Sequence, residues 1–123
     1  MPGTKIGWTH NIWMGVTVEE ASCKHRIDHL RTTGASHKFV CGEPLLGDLG
    51  KLDLAGIDWV VLGGESGPKA RPMKEEWAIN VRDQSQEQNV MFTFKQWGGV
   101  KRKENGSLLQ GNYYHEMPLV MRD

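Results

Sequence analysis

Short apolar runs alternate with more polar stretches along this chain. The runs occupy residues 11–18, 38–42, 58–62 and 90–94. Because they are rich in β-branched and aromatic residues, they predict buried strands. Charged segments at about residues 19–33 and 74–88 predict helices that end near Gly34 and Asn89. Leucines recur over residues 45–54 and predict a loop that packs on the core.

Strands that alternate with helices predict an α/β fold with a parallel sheet. About four such strands are too few for a closed barrel of eight, so we predict a partial (half) β/α barrel. The Asn105–Gly106 pair is a hairpin signal and predicts a C-terminal β-hairpin. We expect a single domain over residues 1–123, with the half-barrel core at 1–99 and the hairpin and tail at 100–123.

Near-continuous apolar strands indicate a sheet that is covered on both faces. The chain offers only two helices for this purpose. We therefore predict a homodimer or a tight complex with another protein.

A glycine-rich segment follows the third predicted strand. Gly63 and Gly64 would let the backbone turn sharply and approach a ligand closely. Glu65, Ser66, Lys69 and Arg71 come next, at a strand end, where α/β proteins bind ligands. A tight structural turn with a solvated charged rim explains the same residues, and both interpretations stay open.

Two other predicted strands also end in polar residues. Glu43 follows the second strand, and Lys95, Gln96 and Trp97 follow the fourth. Two glutamates facing one pocket could do acid–base or ligand work, and Trp97 could stack on a base with Lys95 on a phosphate. Equally, each glutamate could cap a helix or bind a neighbouring Arg, and Trp97 could serve only as packing. The predicted ligand-binding set is Glu43, Gly63, Gly64, Glu65, Ser66, Lys69, Arg71, Lys95, Gln96 and Trp97.

The tail is locally basic. Lys101, Arg102 and Lys103 precede the hairpin signal, and Tyr113 and Tyr114 follow it. Cations with nearby aromatic rings can hold a nucleic-acid backbone or a partner. The alternative is an exposed strand edge that charge protects against aggregation.

Composition narrows the class of protein. Hydrophobic residues are 38% and charged residues 24% of the 123 residues, which favours a globular domain. Fifteen basic and fifteen acidic residues cancel, so no net field draws the chain to nucleic acid or membrane. No signal peptide and no membrane-length apolar run is evident, so we expect a cytoplasmic protein.

Thiol ligands for a metal are few. The two cysteines are Cys23 and Cys41. Cys23, His25 and His29 have a spacing that could serve zinc, but no fourth ligand is placed locally. A polar helix face explains them better. We predict no metal, no cofactor and no catalytic residue.

Longer stretches resemble a widespread phage protein family that carries a three-cysteine motif and is related to the radical S-adenosylmethionine enzymes. The matching stretches are residues 5–9 (KIGWT), 11–19 (NIWMGVTVE), 26–30 (RIDHL), 43–47 (EPLLG), 59–73 (WVVLGGESGPKARPM) and 94–98 (FKQWG). The resemblance implies a (β/α) barrel of about twice this length, with its pocket at the strand ends.

The sequence departs from that family where the cluster would bind. Gly7 stands where the family tends to have glutamate, and the chain then passes directly to a stretch that resembles the middle of the family barrel. The three-cysteine segment is absent, and two cysteines cannot supply the three thiolates of such a cluster. Radical chemistry is therefore not expected.

We predict a non-catalytic binding protein of phage or mobile-element origin in the host cytoplasm. It would act by protein–protein interaction, for example by inhibiting a host defence system. One alternative is a small-molecule or nucleotide binder, or an enzyme, that uses the strand-end pocket. The other is a nucleic-acid-binding protein.

Overall fold

The computed structural model describes residues 13–99 and 105–118. The element order is β1 (Trp13–Thr17), a 3₁₀ turn (Ala21–Cys23), α1 (His25–Arg31), β2 (His37–Gly42), β3 (Trp59–Leu62), α2 (Glu75–Glu87) and β4 (Met91–Phe94). The predicted α/β class is confirmed. Over the described ranges, no helix has both the length and the apolar character needed to cross a membrane.

The four strands form one parallel sheet in the order β1-β2-β3-β4. Val16 lies beside Val40, Val40 beside Val60, and Val60 beside Phe92, so one apolar row crosses the whole sheet. Strands that are consecutive in the chain are neighbours in the sheet. Right-handed crossovers that all advance in one direction place their connecting segments on one face.

Both helices indeed pack on the same face of the sheet. Their buried residues share one apolar cluster with alternate residues of the strands, and α2 adds a buried Ser85 that donates to the Val81 carbonyl. Alternate strand residues point to one face because the side-chain period of a strand is two. The cluster includes Val18, Ile27, Leu30, Val40, Val60, Leu62, Ala78, Val81, Val90, Phe92 and Phe94.

The opposite face of the sheet is aromatic. The Phe39 ring lies over Gly15, where an added Cβ would stand 2.3 Å from the ring. Trp13 stacks on His37 with ring centroids 4.3 Å apart. Neither α1 nor α2 packs on this face. We call it the aromatic face; its members are Trp13, Gly15, His37, Phe39, Trp59 and Met91.

The predicted leucine-rich loop does pack on the core. Leu45, Leu49, Leu52 and Leu54 are all buried. Its backbone is held by the amide side chains of Gln84 in α2 and of Gln88 just after it. The Gln84 side-chain oxygen accepts from the Leu52 N–H at 2.6 Å, and the Gln88 side chain bonds the backbone of Leu52 and Leu54. Polar residues that the sequence suggests are solvent-facing thus hydrogen-bond to the loop backbone and hold it in place.

The first predicted helix, residues 19–33, is wrong in its beginning. Glu20 is extended, a 3₁₀ turn follows, and the α-helix starts only at His25. The sequence supplies few apolar residues before Ile27, so the first turns have little to pack against. The second helix, predicted at 74–88, matches Glu75–Glu87, and Asn89 ends it with φ of 58°.

The strand predictions agree with the structure to within two residues at the ends described. Residues 11 and 12 of the first predicted strand lie outside the described residues. The predicted C-terminal hairpin is not shown, since part of it also falls outside them. The tight turn that is described lies instead at Gln110–Gly111, where both residues have positive φ and Leu109 pairs with Asn112.

The two outer edges of the sheet differ. Along β4, Thr93 forms an antiparallel bridge with His115, and the Phe94 N–H donates to the Tyr114 carbonyl at 2.8 Å. Along β1, no described residue forms a strand pairing on the outer side. One edge is therefore covered by the chain's own C-terminal segment, and the other is not covered by any described strand.

Candidate functional site

Three strand ends bring the predicted polar residues together. β2, β3 and β4 are parallel neighbours, so their carboxyl ends meet at one edge of the sheet. Glu43 follows β2, the segment 63–66 follows β3, and the segment 95–97 follows β4. In open α/β sheets this edge is where ligands bind.

Glu43 is the centre of a small polar cluster. Its Oε1 accepts from the Lys95 ammonium at 3.1 Å, and its Oε2 accepts from the Gln96 amide at 3.1 Å. The same amide donates to the Gly64 carbonyl at 3.0 Å. A Cβ at Gly63 would stand 2.7 Å from that amide nitrogen, so glycine is what admits the cluster.

Two glycine loops interlock beside this cluster. A Cβ added at Gly64 would lie 1.8 Å from the Trp97 carbonyl oxygen, and one at Gly98 would lie 2.4 Å from the Glu65 carbonyl oxygen. Backbone bonds join the loops: the Gly64 N–H donates to the Gln96 carbonyl and the Gly99 N–H to the Glu65 carbonyl. The glycines therefore allow the two loops to approach each other closely, and they would allow a ligand to do the same.

Glu65 is bound by its own loop. Its carboxylate takes a two-pronged contact from the Arg71 guanidinium at 2.9 and 2.8 Å, and it also accepts from the Arg71 backbone N–H. The Arg71 hydrogen bonds, side chain first and backbone second, lower the pKa of Glu65 from 4.5 to about 2. A carboxylate whose pKa lies so far below neutral pH is a poor proton donor or acceptor.

The strand ends line an open cavity of about 580 Å³. Of the predicted residues, it brings together Glu43, Gly64, Glu65, Ser66, Lys95 and Gln96. Sequence reasoning missed Pro44, Gly106 and Ser107, which complete the wall. Ser107 follows the Asn105–Gly106 pair, and no local pattern signals that this segment folds back onto the strand ends.

Arg71 and Trp97 line a neighbouring cavity of about 560 Å³ rather than this one. The Trp97 indole N–H donates to the Leu108 carbonyl at 2.7 Å, and its ring meets the Phe94 ring edge-on. Trp97 thus holds the C-terminal segment against the sheet. Lys69 is exposed and lines neither cavity.

Cys41 lies at the end of β2, half-buried and unpaired with the other cysteine. Burial, and next the charge of Glu43, raise the pKa of its thiol. A raised pKa leaves the thiol protonated at neutral pH, which makes it a weak nucleophile.

The other cysteine and its neighbours do not assemble a metal site in the part of the chain that is described. There, no three His, Cys, Asp or Glu side chains come together. His25 and His29 meet edge-to-face with centroids 5.7 Å apart, and His25 Nδ1 contacts the Ser22 carbonyl. With two cysteines in the sequence, the residues do not fit a three-thiolate cluster.

The predicted tail surface is only partly described. Lys101, Arg102 and Lys103 lie outside the described residues, so the nucleic-acid alternative stays a prediction. Tyr113 is 65% exposed and stacks on His115. Tyr114 instead packs edge-on against Phe92, and its hydroxyl accepts from Arg82 at 3.2 Å, which gives it a structural role.

Comparison with known proteins places the chain in a family without adding a named relative. No curated protein and no solved structure gives a significant match. The profile of the family described as "Protein of unknown function (DUF5131)" matches residues 1–118, nearly the whole sequence. The chain therefore belongs to the DUF5131 family.

Proposed function

We propose that this chain is a non-catalytic binding protein that acts through protein–protein contacts. The phage or mobile-element origin, the host cytoplasm and the inhibition of a host defence system are parts of this proposal that come from the sequence resemblance. The relation to radical S-adenosylmethionine enzymes is another part of the proposal that comes from the resemblance.

The incomplete cover of the sheet is the observation that carries the proposal. Both helices pack on one face. Over the aromatic face the described chain places no helix, only its C-terminal segment, where the Glu116 carbonyl accepts from the Trp59 indole N–H and the Thr93 hydroxyl. Parallel sheets are almost always covered on both faces, so such a sheet favours contact with another surface. Trp13 and Phe39 are half-buried and Met91 is 40% exposed, so apolar area remains for a partner.

The half-barrel architecture is part of the same proposal. Four parallel strands in consecutive order, with their helices on one face, resemble a barrel segment more than a doubly wound sheet, whose strand order reverses. On this view the aromatic face corresponds to the interior of a barrel, which side chains normally fill.

The pairing of the strand-end carboxylates supports a non-catalytic role. Glu65 is neutralised by Arg71, and Glu43 contacts Lys95 and Gln96. General acid–base catalysis needs a group whose pKa lies near the operating pH and which reaches the substrate. The pKa of Glu65, at about 2, lies well below that range.

A capture experiment from host lysate tests the proposal. The bait is the whole chain, and the variant Met91→Arg places a charge on the exposed rim of the aromatic face. We expect one host protein in a fixed ratio with the wild type and at least tenfold less with the variant. The matched control is Glu76→Ala on exposed α2, which should capture as well as the wild type. Capture that M91R leaves unchanged contradicts the proposal.

A second candidate function, binding of a small polar ligand, is favoured by the strand-end cavity. Its volume of about 580 Å³ falls in the range of small-molecule sites. Glu43 uses one contact from Lys95, which leaves other ammonium protons of Lys95 to bind a ligand, with the Ser66 and Ser107 hydroxyls on the same wall.

Thermal unfolding with a panel of nucleotides and small carboxylic acids tests this candidate. A true ligand should raise the midpoint in the wild type, and Lys95→Met should abolish the rise. Lys69→Met is the matched control, because it removes the same charge from a residue outside the cavity. An equal loss in both variants would indicate a general charge effect instead of a site.

A further inference from the structure

The outer edge of β1, which no described strand covers, has unpaired backbone groups that can be assigned. The Val18 N–H donates to the Cys41 carbonyl at 2.8 Å, which fixes the alternation of the β1–β2 ladder. In a parallel ladder, alternate residues bond to the neighbouring strand. Val16 and Val18 therefore face β2, and the backbone groups of Gly15 and Thr17 point to the outer edge.

The residues of β1 itself include none of the usual protections against pairing. Proteins guard exposed edges with lysine, proline or a bulge. β1 reads Trp-Met-Gly-Val-Thr, with no charge and no proline. Gly15 and Thr17 are exposed, and Thr17 has one described outside contact, its carbonyl accepting from Arg26 at 2.8 Å. A carbonyl oxygen has a second lone pair, so that contact does not prevent pairing.

The strand is complementary to a second copy of itself. In an antiparallel pair about a twofold axis at Gly15, Gly15 meets its own copy and Trp13 meets Thr17. Gly15 and Thr17 carry outward backbone groups, which is what the hydrogen-bonded positions of an antiparallel pair require. Trp13 and Thr17 would form an aromatic–β-branched pair on the aromatic face, and Gly15 has no side chain to obstruct the axis.

We propose that two copies of this chain pair through the outer edges of β1, antiparallel and centred on Gly15. The pairing joins the two sheets into one and keeps both aromatic faces on the same side. A closed twofold contact of this kind is isologous, so it stops at two copies. The inference goes beyond the proposed function, because it concerns the strand edge rather than the aromatic face and its partner is a second copy of this chain.

Amide hydrogen exchange at two protein concentrations tests the pairing in the unmodified chain. We expect the Gly15 and Thr17 amides to gain at least tenfold protection from low to high micromolar concentration, while the solution mass doubles. The Val16 amide is the internal control, because it is bonded to β2 at both concentrations.

Any other pattern overturns the proposal. A monomer at every concentration does so, as does a dimer in which Gly15 and Thr17 exchange freely, because its contact lies elsewhere. Protection of both amides in a dilute monomer also does so, because the edge is then covered within one chain. None of these results bears on M91R capture of a host protein, so the two proposals fail separately.

A backbone variant provides the second measurement. Thr17→Pro removes the outward N–H, and the residue before it already has the extended conformation that proline requires. We expect T17P to shift the monomer–dimer midpoint at least tenfold towards monomer, while Thr17→Ala, which keeps the N–H, dimerises as the wild type does. Equal dimerisation of T17P and T17A overturns the proposal, and circular dichroism checks that both are folded.

Discussion

Glu43 and Glu65 each follow a strand of the sheet, yet the fold uses them differently. Glu65 is held by Arg71, six positions along the same loop, through three hydrogen bonds. Glu43 is held by Lys95 and Gln96, which are 52 and 53 positions away and belong to another strand end. The Glu65 pair closes one loop, whereas the Glu43 cluster joins two strand ends at the wall of the cavity.

The comparison teaches that equal positions in a pattern need not mean equal roles. The bidentate Arg71 contact and the lowered pKa make Glu65 a structural anion that holds the turn. Glu43 has a flexible lysine partner that makes one contact with it, against the three that Arg71 makes with Glu65, so the Lys95 contact can exchange for a ligand more easily. Any ligand chemistry at the strand ends should therefore depend on Glu43 and Lys95 more than on Glu65.

The largest effect is expected from Gly64→Ala, which separates the loops that hold both glutamates. The new methyl group would stand 1.8 Å from the Trp97 carbonyl oxygen, so backbone must move. We expect the free energy of unfolding to fall by about 3 kcal/mol, the upper part of the range for overpacking. Urea unfolding measures it.

Gly47→Ala is the control for that variant. Its nearest contact would be the Glu20 Cβ at 3.5 Å, an ordinary distance. We expect a change within about 0.5 kcal/mol, as for most surface substitutions. Equal stability of G64A and the wild type would show that the glycine loops do not interlock as described.

A smaller effect is expected when Arg71→Met frees Glu65. In the folded wild type the pKa of Glu65 is about 2, below its ordinary value of 4.5. The ionised carboxylate therefore contributes its full stabilisation of the fold when the pH is above about 4.5. This contribution is lost as pH falls from about 4.5 through about 2. We expect R71M to return the pKa of Glu65 towards 4.5 and to flatten the pH dependence of unfolding in that window.

Carbon-detected NMR titration of the Glu65 carboxylate measures this change directly. Arg71→Lys keeps the charge but loses the two-pronged contact. The pKa of Glu65 in R71K should therefore lie between its values in the wild type and in R71M. Lys69→Met, a charge change in the same loop, should leave the Glu65 titration where it is. A Glu65 that still titrates near pH 2 in R71M would assign its low pKa to another cause.

The smallest effect on stability is expected from Lys95→Met. The Lys95 and Glu43 side chains are 49% and 28% exposed, and exposed ion pairs contribute little. We expect a loss of no more than about 1 kcal/mol, measured by urea unfolding in a double-mutant cycle with Glu43→Gln. A coupling energy well above that value would make the Glu43 cluster structural, like the Glu65 pair. The two glutamates would then no longer differ in role.

The sequence predicts much of the fold because the signals involved are local. Apolar runs identify the four strands of the described residues, a charged segment identifies α2, and Asn89 marks its end. The start of α1 is missed because Glu19 and Glu20 resemble a helix start, while the chain there has few apolar side chains to bury. Gln84 and Gln88 are missed as loop anchors because their partners lie more than thirty positions away.

From the sequence alone came the strands, the parallel α/β class, and the gathering of charged residues at strand ends, because periodicity and glycine turns act over a few residues. Tertiary structure alone decided which carboxylate is neutralised by which cation, which residues complete the cavity, and which sheet edge the C-terminal segment covers. Those outcomes depend on distances between segments far apart in the chain, and only the assembled sheet sets such distances.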